Sequence, residues 1–564
     1  MKKKSILGIV FLGFLALTSC AKDNANVKAV SMPLYNYNEY YELKENKLDT
    51  YFIEDSKVPY VSVNGYINAL NGMLDSSKYS FSANSLFQEY IVRTNFSNTK
   101  LSIIFDYKND KILSVYDYAF QNTVNIEETI DYSYNLKTQT KSIYNGKTIS
   151  FDLAKYDFDM RYINGNCLVP YQIMNALFGS INYNSTYYTG KSYYNTYFSV
   201  SYASNGDEII KKMKEDSTGE VDDLELRKSN YNFLCFYMDY FYGLKSTKNI
   251  SNFDSYLSDD TKTDLLSKDP NTYMKGYAKM IQSLNELHTS MHSKSLTTDM
   301  SISFTSGDFA TPNFVKYNKT KEELTEKAKQ AYNTNLSNEI KLIGNTCYIF
   351  FKNFQTAKTD KVKDENGKIK DDAYLYDTYY LFYEAIEKIK LSQTKIDNIV
   401  VDLSLNGGGN AGAQYRALGF INNSIDLSQR NALSQVGFTQ NIKVDTNNDG
   451  EYDSLDSYKN YNWYILTSVC SYSSANLFTH HAKNNNANVK VLGEAAGGGG
   501  CSILPLVFID GTSLQISGIN QYVNISERGT SYTYEVLENG LSVDYPIEYK
   551  YYYDRDYINN IINK

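Results

Sequence analysis

The chain is poor in several residues that other protein classes need. Of its 564 residues only 4 are His, 1 is Trp, 7 are Pro and 6 are Cys. So few imidazoles restrict any histidine chemistry to His288, His292, His480 and His481. The cysteines beyond Cys20 (Cys167, Cys235, Cys347, Cys470 and Cys501) are odd in number and widely scattered. That spacing excludes a disulfide framework or a zinc knuckle and reads as small buried hydrophobes. Blocks of Lys and Arg are also missing, and the net charge is −8. A nucleic-acid partner is therefore not expected, because phosphate binding wants clustered cations. No apolar run beyond residue 20 approaches the ~20 residues of a membrane span. What is abundant is Tyr, at 55 residues, within a chain that is 42% hydrophobic. That is enough apolar content for a real core, in about two to four domains of roughly 100–200 residues each.

The N-terminus carries an export signal. Lys2, Lys3 and Lys4 precede an apolar stretch from Ile6 to Leu17, too short to span a bilayer but suited to a signal-peptide core. It ends in Leu17-Thr18-Ser19-Cys20, which resembles a bacterial lipobox. By that resemblance Cys20 is diacylated and becomes the mature N-terminus, so the membrane is reached through lipid. Each buried methylene adds ~0.8 kcal/mol to such an anchor. The expected location is the bacterial cell envelope, lipid-anchored and exported, at the outer membrane or cell surface.

Four segments follow from texture. Residues 1–20 are the signal peptide, 21–50 a polar tether, 51–225 a β-rich N-terminal domain and 226–564 an α/β domain. In the N-terminal domain, Leu101–Phe105 and Thr196–Val200 read as strands. Val58-Pro59-Tyr60 and Val169-Pro170-Tyr171 hint at two copies of a small α+β unit. The charged run Lys211–Glu225 marks the boundary. In the second half, helices are expected over Tyr231–Leu244, Tyr273–Leu287 and Ala373–Leu391. Strands are expected at Cys347–Phe351, Ile399–Leu403, Trp463–Leu466, Val489–Leu492 and Leu504–Ile509. Alternating strands and helices predict a mainly parallel sheet with a helical cap, whose chemistry lies at the carboxyl ends of the strands.

Two strand ends carry chemistry. Ile399-Val400-Val401-Asp402-Leu403-Ser404-Leu405-Asn406 runs into Gly407, Gly408 and Gly409, then a helix near Gly412. The Lys-Ser/Thr ending of a phosphate loop is absent. The second end, Tyr464 to Leu466, leads through a Ser-rich turn to a helix beginning at Ser474. A serine there is most often a cap. As a nucleophile it would instead find the next amide, Ala475, free for an oxyanion. Downstream lie Gly493-Glu494 and Gly497 to Gly500.

Together these segments resemble the carboxyl-terminal-processing (tail-specific) serine peptidase family, over roughly residues 229–564. Asp402 to Gly409 resembles the family's Asp-Leu-Arg-x-Asn-x-Gly-Gly, with Ser404 in the Arg position. Ser474-Ala475-Asn476-Leu477 is similar to its Ser-Ala-Ser-Glu. The family's Lys base stands twenty-five residues after the nucleophile, where this chain has Gly499. A Ser-Lys dyad is thus excluded there, and the resemblance shifts to the tricorn-core branch. Leu284-Asn285-Glu286-Leu287-His288-Thr289 resembles that branch's Leu-x-Asp-Gly-His-Thr. The resemblance implies a seryl acyl-enzyme with Ser474 as nucleophile, His288 as base, Glu538 as orienting group and the amides of Ala475 and Gly408 as oxyanion donors. His292 is the alternative base and Glu535 the alternative acid. His480 and His481 sit too far along the helix from Ser474. The span between Met300 and Cys347 is too short for the PDZ domain of many relatives.

Asp445, Asn447, Asp449, Glu451, Asp453 and Asp456, with Gly450 at the sixth place, follow the ligand spacing of a calcium loop, or else a polar turn. No cofactor is otherwise required. The expected function is exported, lipid-anchored hydrolysis of a peptide or protein substrate. A catalytically silent binding lipoprotein on the same fold, or a surface adhesin or glycan binder, stays open.

Overall fold

The computed structural model describes residues 26–96, 99–124, 134–144, 146–218, 223–297, 306–332, 338–528 and 531–564. The signal segment, Cys20 and the first residues of the tether lie outside the described residues. No helix among the described residues is long and apolar enough to cross a membrane.

The parallel sheet is the scaffold of the second half. Strands Thr346–Phe351, Asn398–Asp402, Asn462–Thr467, Lys490–Gly493 and Tyr545–Pro546 run parallel, with Asn338–Ile343 antiparallel at one edge. Successive strand residues point to opposite faces. Cys347, Ile349, Phe351, Ile399, Val401, Trp463 and Ile465 therefore share one core with helices Thr378–Leu391, Ala411–Ile421 and Ser474–Asn485. Their neighbours Tyr348, Phe350, Val400, Tyr464 and Leu466 pack on the other face against helices Pro312–Ala331 and Arg555–Ile562. Burial on both faces explains why these strands read as unbroken apolar runs.

A second sheet joins strands Ser290–Ser293, Ser513–Arg528, Ser424–Asn431, Gly437–Val444 and Leu136–Tyr144, with Cys501–Val507 and Ser531–Val536 also paired to Ser513–Arg528. The expected strand at Leu504–Ile509 is thus Cys501–Val507, and it belongs to this antiparallel sheet, with Leu504 opposite Ile516. Strand Leu136–Tyr144 carries the N-terminal region across the expected boundary at 225, pairing with Gly437–Val444. Helix Leu224–Phe241 does the same through its side chains, setting Phe236 and Phe241 against Phe151.

The N-terminal region holds a seven-stranded sheet and a five-stranded antiparallel one. Most of the expected tether belongs to the first, since Val27–Asn36 pairs there with Lys47–Ile53 and Tyr193–Tyr197. The two Val-Pro-Tyr segments meet there: Tyr60–Ser62 pairs antiparallel with Asn166–Pro170, and each runs into a helix, Val63–Ala69 and Tyr171–Met174. Strand Tyr193–Tyr197 stops earlier than expected because Phe198 takes a left-handed φ of 51°.

Candidate active site

Helix Pro270–Leu284 ends three residues short of the expected Leu287, because Asn285 adopts a left-handed φ of 44°. That turn releases Glu286 and His288 from the helix. Buried Glu286 then folds back as an anchor: its Oε2 accepts the His288 N–H at 2.6 Å, and its Oε1 accepts the Thr289 hydroxyl. The imidazole packs edge-on to the Tyr472 ring, 4.8 Å between centroids, with Nδ1 3.4 Å from Ser517 Oγ. Burial holds its pKa below the ordinary value, and Glu286 partly opposes the shift.

The second strand end is a strained elbow. Ser473 sits at φ 55°, ψ −121°, a backbone conformation rare for any side chain, between the strand Asn462–Thr467 and the helix that starts at Ser474. Close backbone on both sides enforces it. A Cβ on Gly408 would lie 2.8 Å from Ser473 Cβ, and one on Gly499 would lie 2.7 Å from Ser473 N. The Ser473 N–H donates to Gly498 O at 2.8 Å. Ser473 is half-buried, lines a cavity of about 630 Å³ together with His288, and its hydroxyl has no protein partner among the described residues.

Ser474 is placed differently. It is buried, and its Oγ donates to Gly409 O at 2.8 Å. The expected oxyanion amides are also engaged: Ala475 N–H donates to Tyr472 O at 3.0 Å, and Gly408 N–H to Asn406 Oδ1 at 2.9 Å. The N–H groups of Ser474 and Gly409 have no such partner among the described residues, and both residues line the cavity. No hydrogen bond joins His288 to either serine.

Glu538 lies behind this turn. Its Oε2 accepts the Gly500 N–H at 2.7 Å and makes no bond to His288 or either serine. Burial and the nearby Glu286 push its carboxyl up to about 7. Glu535 is exposed and accepts from Asn524 Nδ2 at 3.3 Å. His292 lies outside the cavity, with Nδ1 2.7 Å from Ser201 Oγ and its ring stacked on Tyr202. His480 Nε2 is 2.8 Å from Asn539 O, and buried His481 packs edge-on to Tyr522.

At the first strand end, Ser404 stands where the family has Arg, and its hydroxyl donates to Asp402 at 2.6 Å. A guanidinium still reaches that carboxylate: Arg555, from the C-terminal helix, lies 3.5 Å from Asp402 Oδ2.

The acidic loop at 445–456 spends its oxygens internally. Asp445 accepts from Asp449 and Gly450 amides, Asp449 from Glu451, Asp453 from Leu455, and Asp456 from Thr446 and Asp453. Among the described residues no group of three or more His, Cys, Asp or Glu is arranged to hold a metal.

With this geometry in place, the sequence pattern of peptidase family S41 matches residues 345–544. Residues 345–544 are a peptidase family S41 domain. That family is one of serine-type peptidases, and the chain is an enzyme of that class. No curated protein matches. Among solved structures, the chain is similar to a candidate peptidase from Parabacteroides merdae, at 17% identity and TM-score 0.37, covering 57% of this chain and 89% of that one. It is similar to mature CPAF at 11% identity and TM-score 0.38, covering 60% and 96%. A lipoprotein from Streptococcus agalactiae matches at 14% identity and TM-score 0.31, covering 57% and 92%.

Proposed function

We propose that this chain hydrolyses peptide bonds through a seryl acyl-enzyme in which Ser473, one residue before the serine expected from sequence, is the nucleophile. The carrying observation is the contrast at the elbow. Ser473 has an unpartnered hydroxyl in the cavity, while the Ser474 hydroxyl is committed to Gly409 O. A strained strand-to-helix turn that exposes a serine hydroxyl is a recognised nucleophile device. The same one-residue shift moves the oxyanion donors to the Ser474 and Gly409 amides, at the positive end of helix Ser474–Asn485. The register shift leaves the base argument intact, because twenty-five residues past Ser473 stands Gly498, again without an amine. His288 then takes the proton of the attacking hydroxyl and returns it to the leaving amine. Glu286 holds the His288 backbone, and Glu538 holds the glycine segment that backs Ser473.

Fluorophosphonate labelling tests the assignment. Label should attach to the wild type and to Ser474→Ala, and be lost from Ser473→Ala. Labelling that survives in Ser473→Ala and disappears in Ser474→Ala would return the role to Ser474.

The lipobox-like Leu17–Cys20 supports an exported protein held on an envelope membrane through acylated Cys20. Cys20→Ser should release it to the soluble fraction or leave an unprocessed precursor; unchanged membrane association would sink the anchor.

A further inference from the structure

The cavity at Ser473 has a wall from the N-terminal region, contributed by Tyr183 and Tyr202. Tyr202 is 55% exposed, yet it is tightly placed. Its ring stacks on His292 at 5.4 Å and 20°, and meets Phe198 edge-on at 5.0 Å. Its hydroxyl donates to Gln515 Oε1 at 3.2 Å, and Gln515 Nε2 donates to His288 O at 2.8 Å. His292 is itself fixed to the neighbouring Ser201 hydroxyl at 2.7 Å. The wall is thus rigid and linked to the strand that follows the base.

The rest of the lining gives the cavity its chemistry. Leu287, Phe314, Leu477 and Ile503 are apolar, Tyr317 and Tyr522 are aromatic, and no Asp, Glu, Lys or Arg of the described residues lines it. Its volume, about 630 Å³, lies within the usual range of ligand pockets. A charged side chain entering there would lose water and find no counter-charge, whereas an apolar one gains by burial.

From this we propose that the cavity selects a large uncharged side chain, apolar or aromatic, next to the scissile bond of an extended peptide. Tyr202 of the N-terminal region acts as a specificity-determining wall. The proposal rests on the Ser473 peptidase reading, and the test keeps the two apart.

The experiment uses the full protein and blocked peptides that differ at one position only: Phe, Leu, Lys or Glu. Fluorophosphonate labelling of Ser473 is read in parallel. Expected is labelling, with kcat/KM for Phe and Leu at least about 100-fold above Lys and Glu. Tyr202→Ala should cut that preference about tenfold, mainly through KM, because one pocket wall is worth roughly one such factor. Tyr202→Phe should keep the preference, since the ring is retained and only the Gln515 bond is lost. Phe314→Lys, at an exposed edge of the lining, should gain activity on the Glu peptide, and no gain would overturn the uncharged lining as the source of the preference. Labelling without a preference, or with a preference for charged side chains, overturns the pocket assignment and leaves the nucleophile standing. Equal loss of preference in Tyr202→Phe and Tyr202→Ala overturns Tyr202 as a wall. Failure of Ser473 to label overturns both.

Discussion

Two acid clusters border the parallel sheet, and they differ in whether a guanidinium stands beside the carboxylate. At Asp402 a guanidinium joins local donors: Arg555 lies 3.5 Å away, with both side chains at most 9% exposed. The Ser404 N–H and hydroxyl donate at 3.1 and 2.6 Å, and burial still pushes the carboxyl up to about 7. Arg555 is itself wrapped by the rings of Tyr332, Tyr348 and Tyr553. At Glu286 and Glu538 the charges are answered chiefly by backbone N–H groups, with a weaker pull from Lys248. Those N–H groups belong to the segments that carry His288 and flank Ser473. Two phenols, Tyr242 and Tyr472, face the same pair, and burial with the two carboxylates raises both well above their usual pKa. A cation pair locks a sheet end to a helix; amide-bound acids hold loops. The first cluster should therefore govern stability and the second should govern turnover.

The largest effect that sharpens this contrast lies at the loops. Ser473→Ala and His288→Ala should each cost several orders of magnitude in turnover, and together little more than either alone, because they act as one unit. The melting temperature should hardly move for Ser473→Ala, whereas His288→Ala should also lower it, because the imidazole is buried against Tyr472. With the His288 pKa held below its ordinary ~6.5, activity should rise with pH below that value and level off above it. A rise centred well into the alkaline range would mean an amine base instead.

Next comes the pair. Arg555→Met strands the Asp402 carboxylate in a buried site, and removing one partner of such a pair costs about 3–5 kcal/mol. Denaturant unfolding should show that loss, while kcat per folded molecule stays near wild type. A large fall in kcat without a stability change would break the distinction between the clusters.

Glu538 offers a subtler comparison. Its carboxyl is pushed up to about 7 from an ordinary 4.5 by burial and by Glu286. A raised carboxyl binds its proton more tightly in the folded state than in the unfolded one. Its contribution to stability is present below about pH 4.5 and is lost as pH rises to about 7. Glu538→Gln should flatten the fall in melting temperature over that window, by about 1 °C for each kcal/mol removed in a chain of this length. An unchanged slope would mean that another group carries it.

The parallel strands were legible because burial on both faces writes long apolar runs, and glycines mark their ends. The sequence also pointed to the Ser-rich turn and to His288, which the structure sets around one cavity. The sequence reading chose Ser474 and the proposed assignment moves one residue to Ser473, because family matching by residue type is ambiguous where the two serines are adjacent. Only φ and ψ distinguish an exposed elbow hydroxyl from one bonded to Gly409 O. A physical signal did exist: Gly408 and Gly499 both crowd Ser473, and glycines at such spacing mark a close backbone approach. The link from Tyr202 through Gln515 to His288 was not legible, since it joins residues more than two hundred positions apart.

The acidic loop at 445–456 supplies the smallest expected effect and extends the comparison to a third set of carboxylates. Like Glu538, these side chains spend their oxygens on amides: Asp445 caps Asp449 and Gly450, and Asp456 caps Thr446 and Asp453. The loop lies between strand Gly437–Val444 and a short turn at Ser454–Asp456, rather than between two helices. Those carboxylates keep lone pairs free beside their amide bonds, but among the described residues no three acids are arranged around one point to hold an ion. Binding to the folded state raises stability by RT ln(1 + [L]/Kd), so even weak binding shows at millimolar calcium. Melting curves in millimolar calcium and in chelator should therefore coincide, and Asp449→Ala should leave both unchanged. A calcium-dependent rise abolished by Asp449→Ala would show that this loop, unlike the Glu286–Glu538 pair, draws its carboxylates around a ligand.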